Sequence, residues 1–242
     1  MTKENILLQV KKALENNLND EHYSATLTLM QLAESLLDDV RTEANKKSGA
    51  GKVEKILKDI FNNAAKEGNM KMMQYTTIRE NGKQYALDGH RLLEINTPLA
   101  APVWERDAQE GSKQAYYQVE KMMVSTPSLE VQAPDLMELK AMNKYYKKSK
   151  KTCVILEASN GVKICVNARY LENALTNFTN PKIYASEDGT KRNPIYITGD
   201  EGRLLILPIN FDDQAFTTPG CYNLYTKKRF TLETEKEAAQ VA

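Results

Sequence analysis

The chain has 242 residues, 27% of them charged and 41% hydrophobic, with 33 Lys and Arg against 32 Asp and Glu and a net charge of +1. This is an ordinary globular composition with ample length for a core. It leaves no global basic field, so any nucleic-acid contact must come from a local patch. Cys153, Cys165 and Cys221 have neither close spacing nor His neighbours, and read as reduced thiols. No signal-like apolar run stands at the start, and no segment approaches the roughly 20 apolar residues of a bilayer span. The expectation is a cytoplasmic protein without membrane contact.

Residues 3–46 predict two amphipathic helices. Ile6, Leu7, Val10 and Leu14 form one stripe; Asn19-Asp20 is a break; Leu29, Leu32, Ala33, Leu36, Leu37 and Val40 form a second. The short connection predicts an antiparallel hairpin. It is either a module packed on the main domain or an arm for oligomerisation or docking. Apolar stripes are core more often than interface, which favours the packed module. In the polar linker at 46–52, Gly-Ala-Gly-Lys fails as a phosphate loop, because Lys46 stands where the first Gly belongs and Val53 where Ser or Thr belongs.

Val53, Ile56, Leu57, Ile60, Phe61 and Ala64 predict a helix ending near Gly68-Asn69, with Lys52, Lys55, Asp59 and Asn62 outside the stripe. Met72–Arg79 alternates like a strand, Asn81-Gly82 signals a hairpin, and Tyr85–Asp88 and Leu92–Ile95 continue in strand. Prolines at 98, 102, 127 and 134 break up the next stretch into an irregular excursion, with Tyr116–Val124 either strand or short helix. Pro134-Asp135 starts a helix running to about Lys148. Lys140, Lys144, Lys147 and Lys151 share one of its faces, and with Lys148 they belong to a run of six lysines without an acid. Such a run can hold a phosphate backbone without reading sequence; the alternative is a solvated face.

Cys153–Glu157 and Val162–Val166 predict a hairpin. Asn167 then sits as an N-cap before a helix with Tyr170, Leu171, Ala174, Leu175 and Phe178 inward and Arg169 outward. Asn180-Pro181 stops that helix. Strands follow at Ile183–Ala185, Ile195–Thr198 and Leu204–Ile209, the last two around Gly199–Gly202. A final hairpin at Tyr222–Thr226 and Arg229–Leu232 precedes a frayed end at 233–242.

Two phrases carry a resemblance. Val166-Asn167-Ala168-Arg169-Tyr170-Leu171-Glu172-Asn173-Ala174-Leu175, with Asn193-Pro194-Ile195-Tyr196-Ile197 and Leu205-Ile206-Leu207-Pro208-Ile209-Asn210, resembles the C-terminal motif of the bacterial DNA polymerase III β subunit, the sliding clamp. Tyr85-Ala86-Leu87-Asp88-Gly89-His90-Arg91-Leu92 resembles a phrase of the clamp's middle domain. The match covers roughly 53–98 and 153–210. It implies an α+β fold of two helix-plus-antiparallel-strand units, with the helices side by side against the sheets. That gives an N-terminal helical region at 1–48, a clamp-like domain at 49–210 with an insertion at about 99–150, and an extension at 211–242. The family carries three such domains and this chain has sequence for about one, as a shortened phage or mobile-element relative would. Asn210 and Leu87 replace the family's Arg and Thr.

The resemblance implies a replication accessory protein (processivity factor), not an enzyme, needing no cofactor or metal. It implies duplex DNA as a partner, held by Lys52, Lys55, Lys140, Lys144, Lys147, Lys148, Lys151 and Arg169. It implies a peptide pocket for polymerase or other replication proteins, formed by Gly89, His90, Arg91, Leu92, Leu205, Ile206, Leu207, Pro208 and Ile209, with His90 and Arg91 as rim donors. A homo-oligomer is expected as well. In the family the two pocket phrases come from neighbouring domains; here they either share one domain or meet across a subunit contact. The competing readings are an adaptor that has kept the fold and lost DNA, and an enzyme such as a nuclease. Only His22 and His90 are present, and no D-x-D or E-x-x-H spacing supports the latter.

Overall fold

Strand periodicity gives way to helical periodicity at Asn167. The computed structural model describes residues 3–16, 23–104, 116–123, 129–145, 152–186, 193–209, 221–223 and 228–230. In it β6 (Lys163–Asn167) runs directly into α6 (Ala168–Asn177). Asn167 Oδ1 accepts from the amides of Arg169 at 2.9 Å and Tyr170 at 3.4 Å, satisfying two donors of the first turn. Leu171, Ala174, Leu175 and Phe178 are buried, as their spacing predicts. The counterpart helix is α3 (Gly51–Lys66), which buries Val53, Ile56, Leu57, Ile60 and Ala64. The two lie side by side, and Asn63 Nδ2 donates to the Tyr170 hydroxyl at 3.1 Å. With α2 (Tyr23–Lys47) and α5 (Leu136–Tyr145) they form a row in the order α2, α3, α6, α5. Asp135 caps α5, accepting from Met137 N at 2.7 Å and Glu138 N at 3.0 Å.

The larger sheet takes the order β1 (Thr77–Ile78), β2 (Gln84–Leu87), β3 (Arg91–Ile95), β9 (Gly202–Ile206), β8 (Ile195–Gly199), β7 (Lys182–Ala185), β4 (Leu129–Val131), all antiparallel. The smaller joins β6 to β5 (Cys153–Glu157), then to β10 (Cys221–Asn223) in parallel and β11 (Lys228–Phe230). The predicted C-terminal hairpin is thus β10–β11; residues 233–242 lie outside the described residues.

Strand alternation divides the larger sheet's side chains between two buried layers. Leu93, Ile95, Leu204 and Ile206 join α3 and α6 in the main core. Tyr85, Leu87, Leu92, Tyr196 and Leu205 point the other way, into a second cluster with Met72, Met73, Tyr116, Val119 and Met123. This corrects the first part of the reading of 72–79 as strand, of which β1 keeps Thr77–Ile78. Lys71–Gln74 is a 3-10 turn, which lets the consecutive Met72 and Met73 enter the same cluster; a strand would turn one of them away. Within the excursion, the described segment 116–123 holds a four-residue helix, α4 (Val119–Met122), and 129–131 supplies the edge strand β4.

At the N-terminus, α1 (Lys3–Asn16) runs antiparallel to α2, fixed by Arg41–Glu4 at 2.9 Å and Lys11–Glu34 at 2.7 Å. The C-terminal half of α2 rests on the body. Lys58 Nζ donates to Asp38 at 2.9 Å, Thr42 Oγ1 to Glu54 at 2.9 Å, and Asn45 bonds both the amide and the carbonyl of Ala100 at 3.0 Å. The predicted core stripe of α2 splits: Ala33 and Leu37 are buried, but Leu29, Leu32 and Leu36 are exposed, as are Ile6 and Val10 on α1.

Candidate binding site

The two phrases meet inside one chain. β3 and β9 are direct neighbours, with Arg91 opposite Ile206 and Leu92 opposite Leu205. Beyond the strands the Leu207 amide donates to the His90 carbonyl at 2.9 Å. No second copy is needed to join them, which removes the subunit-contact alternative. Gly202 permits this approach: a Cβ there would lie 2.0 Å from the Glu94 carbonyl oxygen.

Asp88-Gly89-His90-Arg91 forms the tight turn between β2 and β3. Gly89 has φ +86°, a conformation suited to glycine. Asp88 Oδ1 closes the turn by accepting from His90 N at 3.0 Å and Arg91 N at 2.8 Å. Its Oδ2 accepts from Arg91 Nε at 2.9 Å, Arg91 Nη2 at 2.6 Å and Asn63 Nδ2 at 3.1 Å. Arg91 Nη1 donates to Asp59 of α3 at 2.5 Å, and the guanidinium carbon stands 3.9 Å from the centre of the Tyr170 ring of α6. Burial by itself would lower the Arg91 pKa; the Asp88 and Asp59 carboxylates overcome it, and the net shift is upward. Burial pushes the Tyr170 phenol up to about 12, with Asp88 adding and Arg91 opposing. The Arg91 side chain is 0% exposed. It is a clasp between the two helix units, not the rim donor that the resemblance implied.

The apolar members of the predicted pocket also divide. Leu92, Leu205 and Ile206 are buried. The first two lie under Tyr116, Val119 and Met123 of the chain's own excursion. Arg79 fixes that cover by donating to the Tyr117 carbonyl at 2.5 Å and pairing with Glu120 at 2.9 Å. What reaches the surface is Gly89, the His90 side chain at 52% and Leu207 at 43%, with Pro208 and Ile209 half-buried. His90 Nε2 lies 3.1 Å from Glu67 and its ring stacks on Tyr170 at 6.4 Å. Ile209 turns toward Cys153, Ile155 and Cys165. A concavity of about 430 Å³ lined by Glu130, Gln132, Glu157, Ala158 and Ser159 contains neither phrase.

The predicted DNA residues fall on the helix row. Lys52 and Lys55 are exposed on α3, Arg169 at the start of α6, and Lys144 on α5, with Lys140 half-buried. Lys147, Lys148 and Lys151 lie outside the described residues. Acids interrupt the face. Asp59 is 48% exposed, and Glu172 of α6 accepts from Asn143 of α5 at 2.7 Å. Among the described residues no cluster of three or more His, Cys, Asp or Glu could hold a metal, and no helix is long and apolar enough to cross a membrane.

Sequence reasoning missed Asp59, Asn63 and Tyr170 as partners of Arg91. The only local signal was the Asp88–Arg91 spacing within a turn; the rest depends on which helices become neighbours.

Side-by-side α3 and α6 over two largely antiparallel sheets, each helix leading into its own strands, define an α+β fold. Among solved structures the chain is similar to a putative DNA polymerase III beta subunit from Eubacterium rectale, with 15% identity, 65% of this chain and 63% of that one covered, and a TM-score of 0.44. It is similar to the Helicobacter pylori beta clamp bound to a DNA ligase peptide, with 12% identity, 64% and 62% covered, and a TM-score of 0.45. It is also similar to DNA polymerase III subunit beta from Borrelia burgdorferi, with 14% identity, 65% and 63% covered, and a TM-score of 0.42. The chain spans less than two thirds of the length of each. It matches no family model and no curated protein.

Proposed function

We propose that this protein is a non-catalytic accessory factor of DNA replication. It holds duplex DNA through cations on its helix row and docks partner peptides at the surface edge formed by His90, Leu207 and Pro208. The observation that supports this is the convergence of the two clamp-like phrases on neighbouring strands β3 and β9, beneath the paired helices α3 and α6. DNA contact of this kind neutralises phosphates and releases counterions without base readout. If about four cations act, affinity falls on the order of a hundredfold between 50 and 200 mM salt. The test is a fluorescence-anisotropy titration of duplex DNA at both salts with wild type and with K52E/K55E/K144E. Binding at low salt that the triple variant weakens, with a shallower salt slope, supports the proposal. No wild-type binding at 50 mM salt overturns the DNA part.

The mixed sign of the helix face, with Asp59 among Lys52 and Lys55, favours one second reading: a peptide-binding adaptor without DNA. Under that reading H90A/L207A loses affinity for Leu- and Phe-rich partner peptides while no duplex binds at either salt.

A further inference from the structure

The three cysteines of the chain are distant in sequence, yet the fold gathers them on one face of the smaller sheet. In β5 and β6 the alternate residues Val154, Leu156, Ile164 and Val166 face the helices as part of the main core. Cys153, Ile155 and Cys165 take the opposite face, each at most 1% exposed, with Ile209 packed on them. Cys221 of β10 stands in register with Cys153 of β5, which places the third cysteine on that same face. Cys153 and Cys165 are thiols in this structure.

Distance decides which two can be joined. A disulfide needs Cα atoms about 4.4–6.8 Å apart, and beyond about 7 Å the backbone has to move. Register partners on adjacent strands stand about 4.8 Å apart, inside that range. Cys165 is opposite Ile155 and Cys153 is opposite Asn167, so those two cysteines are diagonal neighbours at about 7–8 Å. Cys165 and Cys221 have β5 between them, which sets them on the order of 10 Å apart. Cys153 and Cys221 are therefore the pair placed for a bond.

The strand that carries Cys221 has a narrow attachment. β5 and β6 share five register pairs, whereas β10 meets β5 in two, Cys221 with Cys153 and Tyr222 with Val154. That contact is parallel, which is slightly weaker per residue than antiparallel pairing. On its other side β10 pairs with β11, the edge of the sheet. A ribbon of two short strands is not stable alone, so the β5 contact is what seats it. Cys153 is 0% exposed, and a thiol among apolar side chains is inert while β10 covers that edge. Lifting the ribbon uncovers both thiols; seating it brings them back into register.

We propose that Cys153 and Cys221 form a reversible disulfide that latches the β10–β11 hairpin to the body, with a low-molecular-weight disulfide, RSSR, as the oxidant. With the hairpin lifted, one cysteine thiolate attacks a sulfur of RSSR, forms a mixed disulfide and expels RS⁻. As the hairpin seats, the other cysteine thiolate attacks the protein sulfur of that mixed disulfide and expels the second RS⁻. The two cysteine protons end on two molecules of RSH; the cysteine sulfurs are oxidised and RSSR is reduced. An excess of RSH reverses both steps.

The inference does not rest on the replication reading, and its test contains no DNA. Wild type, C221S and C165S are equilibrated with mixtures of reduced and oxidised glutathione, quenched with N-ethylmaleimide, and read by intact mass and non-reducing peptide mapping. Wild type and C165S are expected to lose two hydrogens, to carry the Cys153–Cys221 link, and to return to thiols in excess reduced glutathione. C221S is expected to form no link. Hydrogen exchange at the amides of Tyr222 and Asn223 is expected to slow by at least about tenfold when wild type is oxidised, and not to change in C221S. Absence of the Cys153–Cys221 link in the most oxidising mixture overturns the proposal, and so do glutathione adducts alone, a Cys153–Cys165 link in its place, or a link between two chains. A Cys153–Cys221 link that leaves the exchange rates unchanged overturns the latch.

Discussion

Replacing Arg91 with Met separates a clasp from a binding rim. The side chain is 0% exposed and its removal leaves Asp88, also 0% exposed on its side chain, without its main counter-charge. Breaking one partner of a buried ion pair costs about 3–5 kcal/mol. Asp88 keeps three donors, the amides of His90 and Arg91 and the Asn63 side chain, which places the expected loss near the lower end, about 3 kcal/mol. With a urea slope of about 3 kcal/mol/M, the unfolding midpoint moves down by about 1 M at an unchanged slope. Asp88→Asn destabilises as well. The double variant R91M/D88N recovers part of the sum, with a coupling of about 2 kcal/mol between the two sites. Equilibrium urea unfolding followed by tryptophan fluorescence, with Trp104 as the single reporter, reads all three. A midpoint shift below about 0.2 M for R91M, together with weakened peptide binding, would refute the clasp and restore Arg91 to the pocket rim.

Two further outcomes follow from the β3–β9 pair. Glu94 is buried and accepts from Arg203 at 2.8 and 2.9 Å and from Lys83 at 2.8 Å. Burial pushes its pKa up, but those cations outweigh it and hold the carboxyl below its ordinary value. Its contribution is therefore full above the ordinary carboxylate pKa and lost as pH falls through the lowered one. Glu94→Gln should cost about 2 kcal/mol at pH 7, with the gap to wild type closing in melts below about pH 4. Gly202→Ala sets a Cβ 2.0 Å from a backbone oxygen that cannot swing aside, so the variant should lose about 3 kcal/mol or more, or fail to fold. A Gly202→Ala protein melting within about 2 °C of wild type would show that the strands part easily there.

The helix row was legible where one helix speaks for itself. The stripe of α6 and its Asn167 cap depend on local spacing, and so do the β5–β6 and β10–β11 hairpins. What could not be read is decided by neighbours distant in sequence. Ile6, Val10, Leu29, Leu32 and Leu36 obey the same periodicity as a core stripe, and only the position of α3 and the body decides that they stay outside. Met72 and Met73 stand at the head of an alternating stretch that reads as strand, yet both enter one cluster because Tyr116, Val119 and Met123 form its other wall. Arg91 sits in a phrase whose family role is at a surface, but here Asp59 and Tyr170 draw its guanidinium inward.

The cover over Leu92 and Leu205 constrains any docking at this site. A partner side chain that reached those leucines would have to lift 116–123, exposing Tyr116, Val119 and Met123, all buried now. At about 1.5–3 kcal/mol for each large apolar side chain returned to water, displacement costs about 6 kcal/mol before the Arg79–Tyr117 and Arg79–Glu120 contacts are counted. A short peptide of micromolar affinity has only about 8 kcal/mol in total. Insertion beneath the cover would consume most of that, leaving about 2 kcal/mol, an affinity on the order of tens of millimolar. Docking at this place is therefore confined to the outer edge, where His90 and Leu207 are already exposed. Truncating Leu207 should weaken a bound peptide, while shaving Leu92 should unfold the protein before it touches binding.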